Sequence, residues 1–403
     1  LNSSIITLSK RKIMKKSTAF VALLSTFTVA ICFIILGSIS SELMAALGIN
    51  EAQLGTLVMV AFLTMCIVQL FVGPMVDKFG YKPIAIAGFT ITGVSLLLLA
   101  VAPSFNIALL ACILLGFGAM PLNTVGNTLI PVVLFEGKDP ARASNFGNGF
   151  FGLGYVLTPL IIVLIIKTMG LSYKVALIFL AVLCFLFFII ALTSSFPNLQ
   201  VGFTFDKASK VALKPAVLIA ALALFCYMAL EISMGTWVKS LMQELYGASG
   251  IADPATKAGL VLSLFGVAMM IGRFIVSGVK NLTAMGPKLI TLASLLALIA
   301  ILLMIFAKGP ALGILAVMLA GLAFAPIFPT IVGVTFAKFD PSLYGSILGF
   351  VFSIGLLGGT LVPKFIGNVS VGSTVQQGLL IPAIMAAILL IISLFIGKIG
   401  KTN

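Results

Sequence analysis

Apolar stretches of about 20 residues recur twelve times along this chain, and they limit the folds open to it more than any other feature. They fall at 17–40, 53–73, 83–102, 106–130, 144–167 and 173–194, and then at 214–237, 255–279, 287–307, 310–333, 344–365 and 376–397. A helix that crosses the hydrocarbon core of a bilayer needs about 20 mostly apolar residues. Only 8% of the residues are charged, against about 25% in soluble domains. The sequence therefore predicts an all-α membrane protein with twelve transmembrane helices.

A polar interval divides the twelve stretches into two groups of six. We expect two six-helix bundles, at 17–194 and 214–397, joined by a cytoplasmic linker at 195–213, with cytoplasmic tails at 1–16 and 398–403. The basic flank before the first apolar stretch resembles a signal peptide. That stretch is longer than a signal core of about 7–15 residues, so we interpret it as an uncleaved first transmembrane helix.

The positive charges are distributed unevenly, and their distribution predicts the orientation. With the N-terminus inside, 18 of the 24 Lys and Arg residues fall on the cytoplasmic side, where such an excess is expected. Both termini are therefore predicted to be cytoplasmic. The net charge of +14 then reflects topology, and we do not expect nucleic acid as a partner. The chain has no His, and its five Cys lie inside apolar stretches, so no metal site is predicted.

The loop after the second apolar stretch gathers three charges in the segment FVGPMVDKFGYKP, at Asp77, Lys78 and Lys82. Gly73 permits close helix packing and Gly80 permits a tight turn, while Asp77 is suited to pairing with a cation or a helix N-terminus. The pattern G-x-x-x-D-[KR]-x-G-x-[KR] resembles the signature loop of the major facilitator superfamily. The resemblance implies that family's fold of two six-helix bundles and transport by alternating access, with this loop as a gating element. The alternative is a turn that only sets the topology.

Four further stretches resemble the fucose–proton symporter family of sugar porters. They are NFGNGFFGLG at 145–154, EISMGTW at 231–237, APIFPTI at 325–331 and GLLGGTLVP at 355–363. This resemblance implies proton-coupled uptake of a sugar or a similar small polar solute. That family's acidic pair, on helices 1 and 4, has no counterpart here, since Pro121 and Asn123 stand near the helix 4 position. Coupling to protons must rest on another group or be absent.

Glu231 lies well inside the seventh apolar stretch and is the first candidate for that group. Ionisable side chains at membrane depth are costly and are functional candidates by default. We predict that Glu231 couples transport to protons. The alternative is a structural carboxylate, hydrogen-bonded to a helix that breaks near Gly235.

Polar amides cluster on the fourth and fifth predicted helices. Asn123 and Asn127 are four residues apart, and Asn145 and Asn148 are three apart, so each pair shares a helix face. Amides both donate and accept hydrogen bonds, which suits a hydroxyl-rich ligand. We predict that these four residues bind the solute, with interhelical hydrogen bonding as the alternative.

Three large side chains complete the candidate set. Tyr227 and Trp237 are predicted to stack against a sugar ring, although Trp237 also suits a membrane-interface belt. Arg273 is predicted to anchor its helix by extending to the interface. The alternatives for Arg273 are pairing with an acid or binding an anionic solute.

The sequence thus predicts a secondary active transporter in a bacterial plasma (inner) membrane. No HExxH, GxSxG or P-loop motif is present, so neither an enzyme nor a resident cofactor is expected, and an ion gradient is the driving force. The expected partners are the lipid bilayer and a small-molecule substrate, with the protein acting as a monomer. Export of amphipathic compounds or drugs, and exchange of organic acids, remain the alternatives.

Overall fold

The structure is a computed structural model of the chain, and it describes residues 2–134, 140–196, 213–279, 282–339 and 344–396. The helices of the first half are α1 (Asn2–Ser38), α2 (Ser40–Leu47), α3 (Glu51–Phe79), α4 (Tyr81–Val101), α5 (Phe105–Val133), α6 (Pro140–Val163) and α7 (Tyr173–Thr193). Those of the second half are α8 (Pro215–Ala248), α9 (Pro254–Ser277), α10 (Leu282–Ile305), α11 (Pro310–Phe324), α12 (Ile327–Phe336), α13 (Tyr344–Ser370), α14 (Val375–Gly378) and α15 (Leu380–Ile396).

Within these residues, twelve helical spans are long and apolar enough to cross a membrane. The prediction of an all-α, multi-pass integral membrane protein is therefore confirmed. Large apolar side chains such as Phe71, Phe179 and Phe306 are more than 45% exposed, as expected of helices whose outer faces contact lipid rather than water. Most of the predicted linker, at 197–212, and the C-terminal tail lie outside the described residues.

Local chemistry explains several helix ends. Helix α3 begins with a capping box, in which Asn50 and Gln53 each accept a hydrogen bond from the other's backbone N–H, at 3.0 and 3.1 Å. Helix α8 begins with a proline at its first turn, where the missing N–H costs nothing. It runs for 34 residues, about 51 Å at 1.5 Å per residue, and so extends beyond a hydrocarbon core of about 30 Å.

The predicted single span at 310–333 is divided in the structure. Helix α11 ends at Phe324, and α12 begins at Ile327. Pro326 lies at the junction, where it donates no backbone hydrogen bond and its ring collides with the carbonyl one turn earlier. Phe328, in the first turn of the second segment, is buried inside the protein.

The two halves meet mainly along three pairs of helices, α1 with α8, α3 with α13, and α6 with α9. The closest approach is between α1 and α8. A Cβ atom added to Gly37 would lie 1.9 Å from the carbonyl oxygen of Gly235, a separation that no side chain tolerates. Only glycine at position 37 allows these two backbones to touch.

Polar contacts join the halves at the end of the molecule where α1 and α8 end. The Ser41 hydroxyl donates to Gln243 Oε1 at 2.8 Å, and Lys364 Nζ donates to the Ala52 carbonyl at 2.7 Å. Lys167, in the π-helical turn after α6, pairs with Asp253 at 2.9 Å. By the predicted orientation this is the outer end of the protein, and the two halves of the protein are in contact there.

The Lys167–Asp253 pair is expected to contribute little to stability. Hydrogen bonding to Lys167 holds the pKa of the Asp253 carboxyl below its ordinary value of 3.8. A lowered pKa in the folded state stabilises the protein above the unfolded value, and that contribution is lost as the pH falls through the folded value. Both side chains are more than 40% exposed, so solvent screening limits the pair to about 0.2–1 kcal/mol.

Asp253→Asn is therefore expected to lower the free energy of unfolding by less than about 1 kcal/mol at neutral pH. Asn tolerates the left-handed backbone at this position, where φ is 54°. The difference between variant and wild type should decline as the pH falls below 3.8 and disappear once the pH is below the lowered, folded-state pKa of Asp253. Denaturant unfolding in detergent across this pH range tests it, and a loss of several kcal/mol would contradict it.

Candidate functional site

A cavity lies between the two halves. Its wall is formed by Thr26, Val29 and Phe33 of α1, Asn123 and Asn127 of α5, Asn148 and Phe151 of α6, Met228 and Glu231 of α8, Arg273 of α9, Phe328 of α12 and Phe352 of α13. Small-molecule sites typically combine such an apolar wall with a few polar groups that fix the ligand's orientation.

A buried ion pair forms the charged part of this wall. Arg273 Nη2 lies 3.3 Å from Glu231 Oε1, and the two side chains are 1% and 2% exposed. The same nitrogen donates to the Tyr227 hydroxyl at 3.4 Å. Removing two charges from water is costly, and their attraction compensates only when both partners are present. The pair is therefore stable as a unit and unstable when either member is lost.

Arg273 also connects the two halves. Its Nη1 donates to the backbone carbonyl of Asn148 on α6 at 3.2 Å, and its guanidinium carbon lies 5.0 Å from the centre of the Phe151 ring. A guanidinium over an aromatic face is an attractive contact. The prediction that Arg273 extends to the membrane interface is wrong, because these partners hold its head group inside the protein.

Amide side chains form the polar wall on the first half. Asn127 Nδ2 donates to Asn123 Oδ1 at 2.9 Å, and Asn123 Nδ2 donates to Gln69 Oε1 on α3 at 3.4 Å. Both asparagines face the cavity while they hydrogen-bond each other. The alternative of interhelical hydrogen bonding is thus present at Asn123, and binding of a solute by the two amides stays a prediction. Gln69 was not predicted from the sequence to belong to the site. It is a single amide in an apolar stretch, and no second amide lies three or four residues from it.

The two aromatic candidates lie outside the cavity wall. Tyr227 is fully buried and stacks against Phe328, with ring centres 6.3 Å apart. Trp237 is fully buried, and its indole N–H donates to the Pro363 carbonyl at 3.0 Å. The prediction that Trp237 stacks on the solute does not fit this packing, because its ring is enclosed between α8 and α13. Helix α8 is continuous through Gly235, so the proposed helix break there is absent.

The signature loop predicted from the sequence, and Asn145 of the candidate site, are described only in part. The side chains of Asp77, Lys78 and Asn145, and the surroundings of Gly73, are outside the described part of the structure. Gly80 joins α3 to α4 with φ of 77°, a left-handed value that glycine adopts without strain. Lys82 is exposed in the first turn of α4. The structure thus places the predicted tight turn at Gly80.

A second ion pair, between Lys239 and Glu42, was also not predicted from the sequence. Lys239 Nζ lies 2.6 Å from Glu42 Oε2 and donates to the Ser38 carbonyl at 3.0 Å. The Lys239 side chain is 3% exposed. The distribution of Lys and Arg along the sequence had indicated only a contribution to the membrane topology. Lys239 links α8 to the end of α1 and the start of α2. This pair belongs to the contact between the halves, not to the cavity.

Comparison with known families gives one result. The sequence model of the Major Facilitator Superfamily matches residues 21–363, from the first transmembrane span into α13. No curated protein matches the sequence significantly.

Proposed function

Because the chain belongs to the major facilitator superfamily of membrane transporters, we propose that it is a secondary active transporter that takes up a sugar or a similar small polar solute with protons. The observation that carries this proposal is the cavity between the halves. Its combination of amide side chains with one ion pair suits a small polar ligand. In secondary transporters the solute binds at the interface between structural repeats.

The proposed proton-coupling residue is Glu231. It is the carboxylate of the cavity wall, and its partner Arg273 contacts both halves. A proton on Glu231 weakens its attraction to Arg273, since a neutral acid no longer offers a charge. Protonation at this site therefore changes the contacts that join α8, α9 and α6. This gives a direct route from proton binding to movement of the halves.

Alternating access requires that contacts at one end of the molecule form and break. The ion pair between Lys239 and Glu42 and the hydrogen bond between Ser41 and Gln243 join the halves at one end. We propose that these contacts separate when the cavity opens to that side. The signature loop at Gly73–Lys82 would act at the opposite end.

The remaining features follow as proposals. The protein acts as a monomer in a bacterial inner membrane with both termini in the cytoplasm, and an ion gradient supplies the energy without a resident cofactor. Organic-acid exchange is favoured by one observation, the cationic Arg273 in the cavity wall. Export of amphipathic compounds is the outcome if no small polar solute is taken up.

Uptake into proteoliposomes tests the proposal. The assay uses a panel of labelled neutral monosaccharides, polyols and sugar acids, with and without an inside-alkaline pH gradient. At least one member should accumulate under the gradient, and accumulation should be lost in Glu231→Gln, which keeps the shape of the side chain but cannot bind a proton. Lys257→Gln is the control, because Lys257 is exposed on α9 away from the cavity.

Two results would contradict the proposal. If no panel member entered the vesicles under any gradient, the substrate class would be wrong. If Glu231→Gln still accumulated solute against its gradient, coupling would rest on another group.

A further inference from the structure

Arg273 has hydrogen-bonding capacity that its partners do not use. A guanidinium carries five N–H donors. The structure gives Nη1 a carbonyl partner and Nη2 two oxygen partners, whereas Nε is buried without a hydrogen-bond partner among the described residues. Buried donors are nearly always satisfied, so each exception calls for an explanation. A ligand in the cavity that Arg273 lines is one such explanation.

The contact with Glu231 is weaker than Arg273 can make. It consists of one nitrogen–oxygen pair at 3.3 Å, while charge-assisted contacts of this kind are usually about 2.7–2.9 Å and often doubled. The fork of a guanidinium matches the two oxygens of a carboxylate. Arg273 is therefore placed to exchange Glu231 for a better acceptor.

The charge of the cavity decides which acceptor can enter. Glu231 and Arg273 are the two charged residues of the wall described above, so the cavity is neutral when both are ionised. A solute carboxylate adds a negative charge, which is costly in a space removed from water. A proton on Glu231 restores neutrality and releases Arg273 at the same time.

We propose that the solute is a hydroxylated carboxylate, a sugar acid, whose carboxylate binds Arg273 while Glu231 is protonated. The inference rests on the proposed function and specifies its substrate class. Asn123 and Asn127, on the facing wall, bind the hydroxyl groups. One proton adds to a Glu231 oxygen, one solute anion enters, and both leave together on the other side. Transport is therefore electroneutral.

The surroundings of Glu231 suit this exchange. The titratable groups that interact with it, within the part of the chain that the structure describes, are Arg273 from α9, Tyr155 from α6 and Tyr227 on α8 itself. The Tyr155 hydroxyl is also buried, and it has no hydrogen-bond partner in the part of the chain that the structure describes. The helices α1, α12 and α13 contribute Val29, Phe328 and Phe352 to the wall nearby, none of which titrates. Among the described residues, Arg273 is thus the cation that Glu231 faces.

The test compares D-gluconate with D-glucose, and D-galacturonate with D-galactose, in proteoliposomes. An imposed pH gradient and an imposed membrane potential are applied separately. The inference expects the acids to enter faster than the matched neutral sugars. The pH gradient should drive their accumulation, and a potassium–valinomycin potential should leave it unchanged. A neutral sugar carried with a proton would instead respond to both.

Variants of Arg273 and Glu231 test whether these two residues bind the solute carboxylate and the proton. Arg273→Lys should reduce gluconate uptake at least about tenfold, because a lysine cannot reproduce the guanidinium fork. Glu231→Gln should retain gluconate counterflow, since it resembles the protonated acid, but the pH dependence of counterflow should be lost. The double variant Glu231→Gln/Arg273→Gln leaves no unpaired charge and should fold, which its elution from a sizing column would show. It should lose gluconate counterflow.

The outcomes separate the two proposals. Uptake of neutral sugars without the acids would overturn the sugar-acid inference and leave the proposed function intact. Acid uptake that responds to membrane potential, or that persists in the double variant, would also overturn the inference. No uptake of any of the four compounds, nor of the wider panel, would remove both.

Discussion

Replacing Arg273 with Met is expected to abolish transport and to lower the free energy of unfolding by about 3–5 kcal/mol. Removing one partner of a buried ion pair leaves the other charge without compensation, and this is the cost typical of such changes. Glu231 is 2% exposed, so water cannot replace the lost guanidinium. Met is chosen because its flexible chain fills the space of the Arg stem. Denaturant unfolding in detergent micelles measures the loss.

A second substitution separates charge from packing. In Glu231→Gln/Arg273→Met the uncompensated charge is gone, so most of the stability should return while transport stays absent. The two substitutions should therefore be strongly non-additive, as contacting residues are. Lys257→Met removes an exposed positive charge from the same helix and should change the stability little. If Arg273→Met and Lys257→Met had similar effects, the buried pair would not have the energetic role assigned to it.

Gly37→Ala is expected to prevent the two halves from closing at the end where α1 and α8 meet. The new Cβ would lie 1.9 Å from the Gly235 carbonyl oxygen and 2.9 Å from the Thr236 Cα. Both neighbours are backbone atoms, so the helices themselves must separate. Overpacking of this kind costs about 1–3 kcal/mol, which shifts the balance between closed and open states by about 5- to 150-fold. Uptake should fall accordingly, since alternating access needs both states.

Spin labels report this change directly. The five cysteines of the chain are free and buried, so labels attach at introduced sites such as Ala46→Cys and Ala248→Cys, both exposed near this end. The distance between them should increase in Gly37→Ala. Gly349→Ala is the control, because an added Cβ there meets nothing within 4 Å. An unchanged distance with normal uptake in Gly37→Ala would show that the close approach of α1 and α8 is not required.

The sequence predicted the positions of the helices better than it predicted which side chains pair between them. The twelve spans are confirmed, as is the resemblance of the GPMVDKFGYK segment to the major facilitator superfamily. The division of the tenth span at Pro326 was missed, although the proline was visible. A proline marks a possible interruption, but neighbouring helices decide whether the chain bends there.

The candidate site was predicted in part. Asn123, Asn127, Asn148 and Glu231 do line one cavity, because polar groups at membrane depth face the protein interior more often than lipid. Arg273 was assigned to the interface from its place near a helix end. A long side chain near a helix end can extend toward the membrane interface or back into the protein. Only the position of Glu231 shows that Arg273 extends into the protein.

The sequence by itself determined that this protein is an integral membrane protein with twelve helical spans long and apolar enough to cross the bilayer. Those features depend on the length of apolar stretches and on the thickness of a bilayer, which act on each helix separately. Only the tertiary structure decided that Glu231 pairs with Arg273, 42 residues away, and that Lys239 pairs with Glu42, 197 residues away. Such pairs depend on how each helix is rotated and how deep it sits against its neighbours. Helix packing sets both, and no local pattern of residues encodes them.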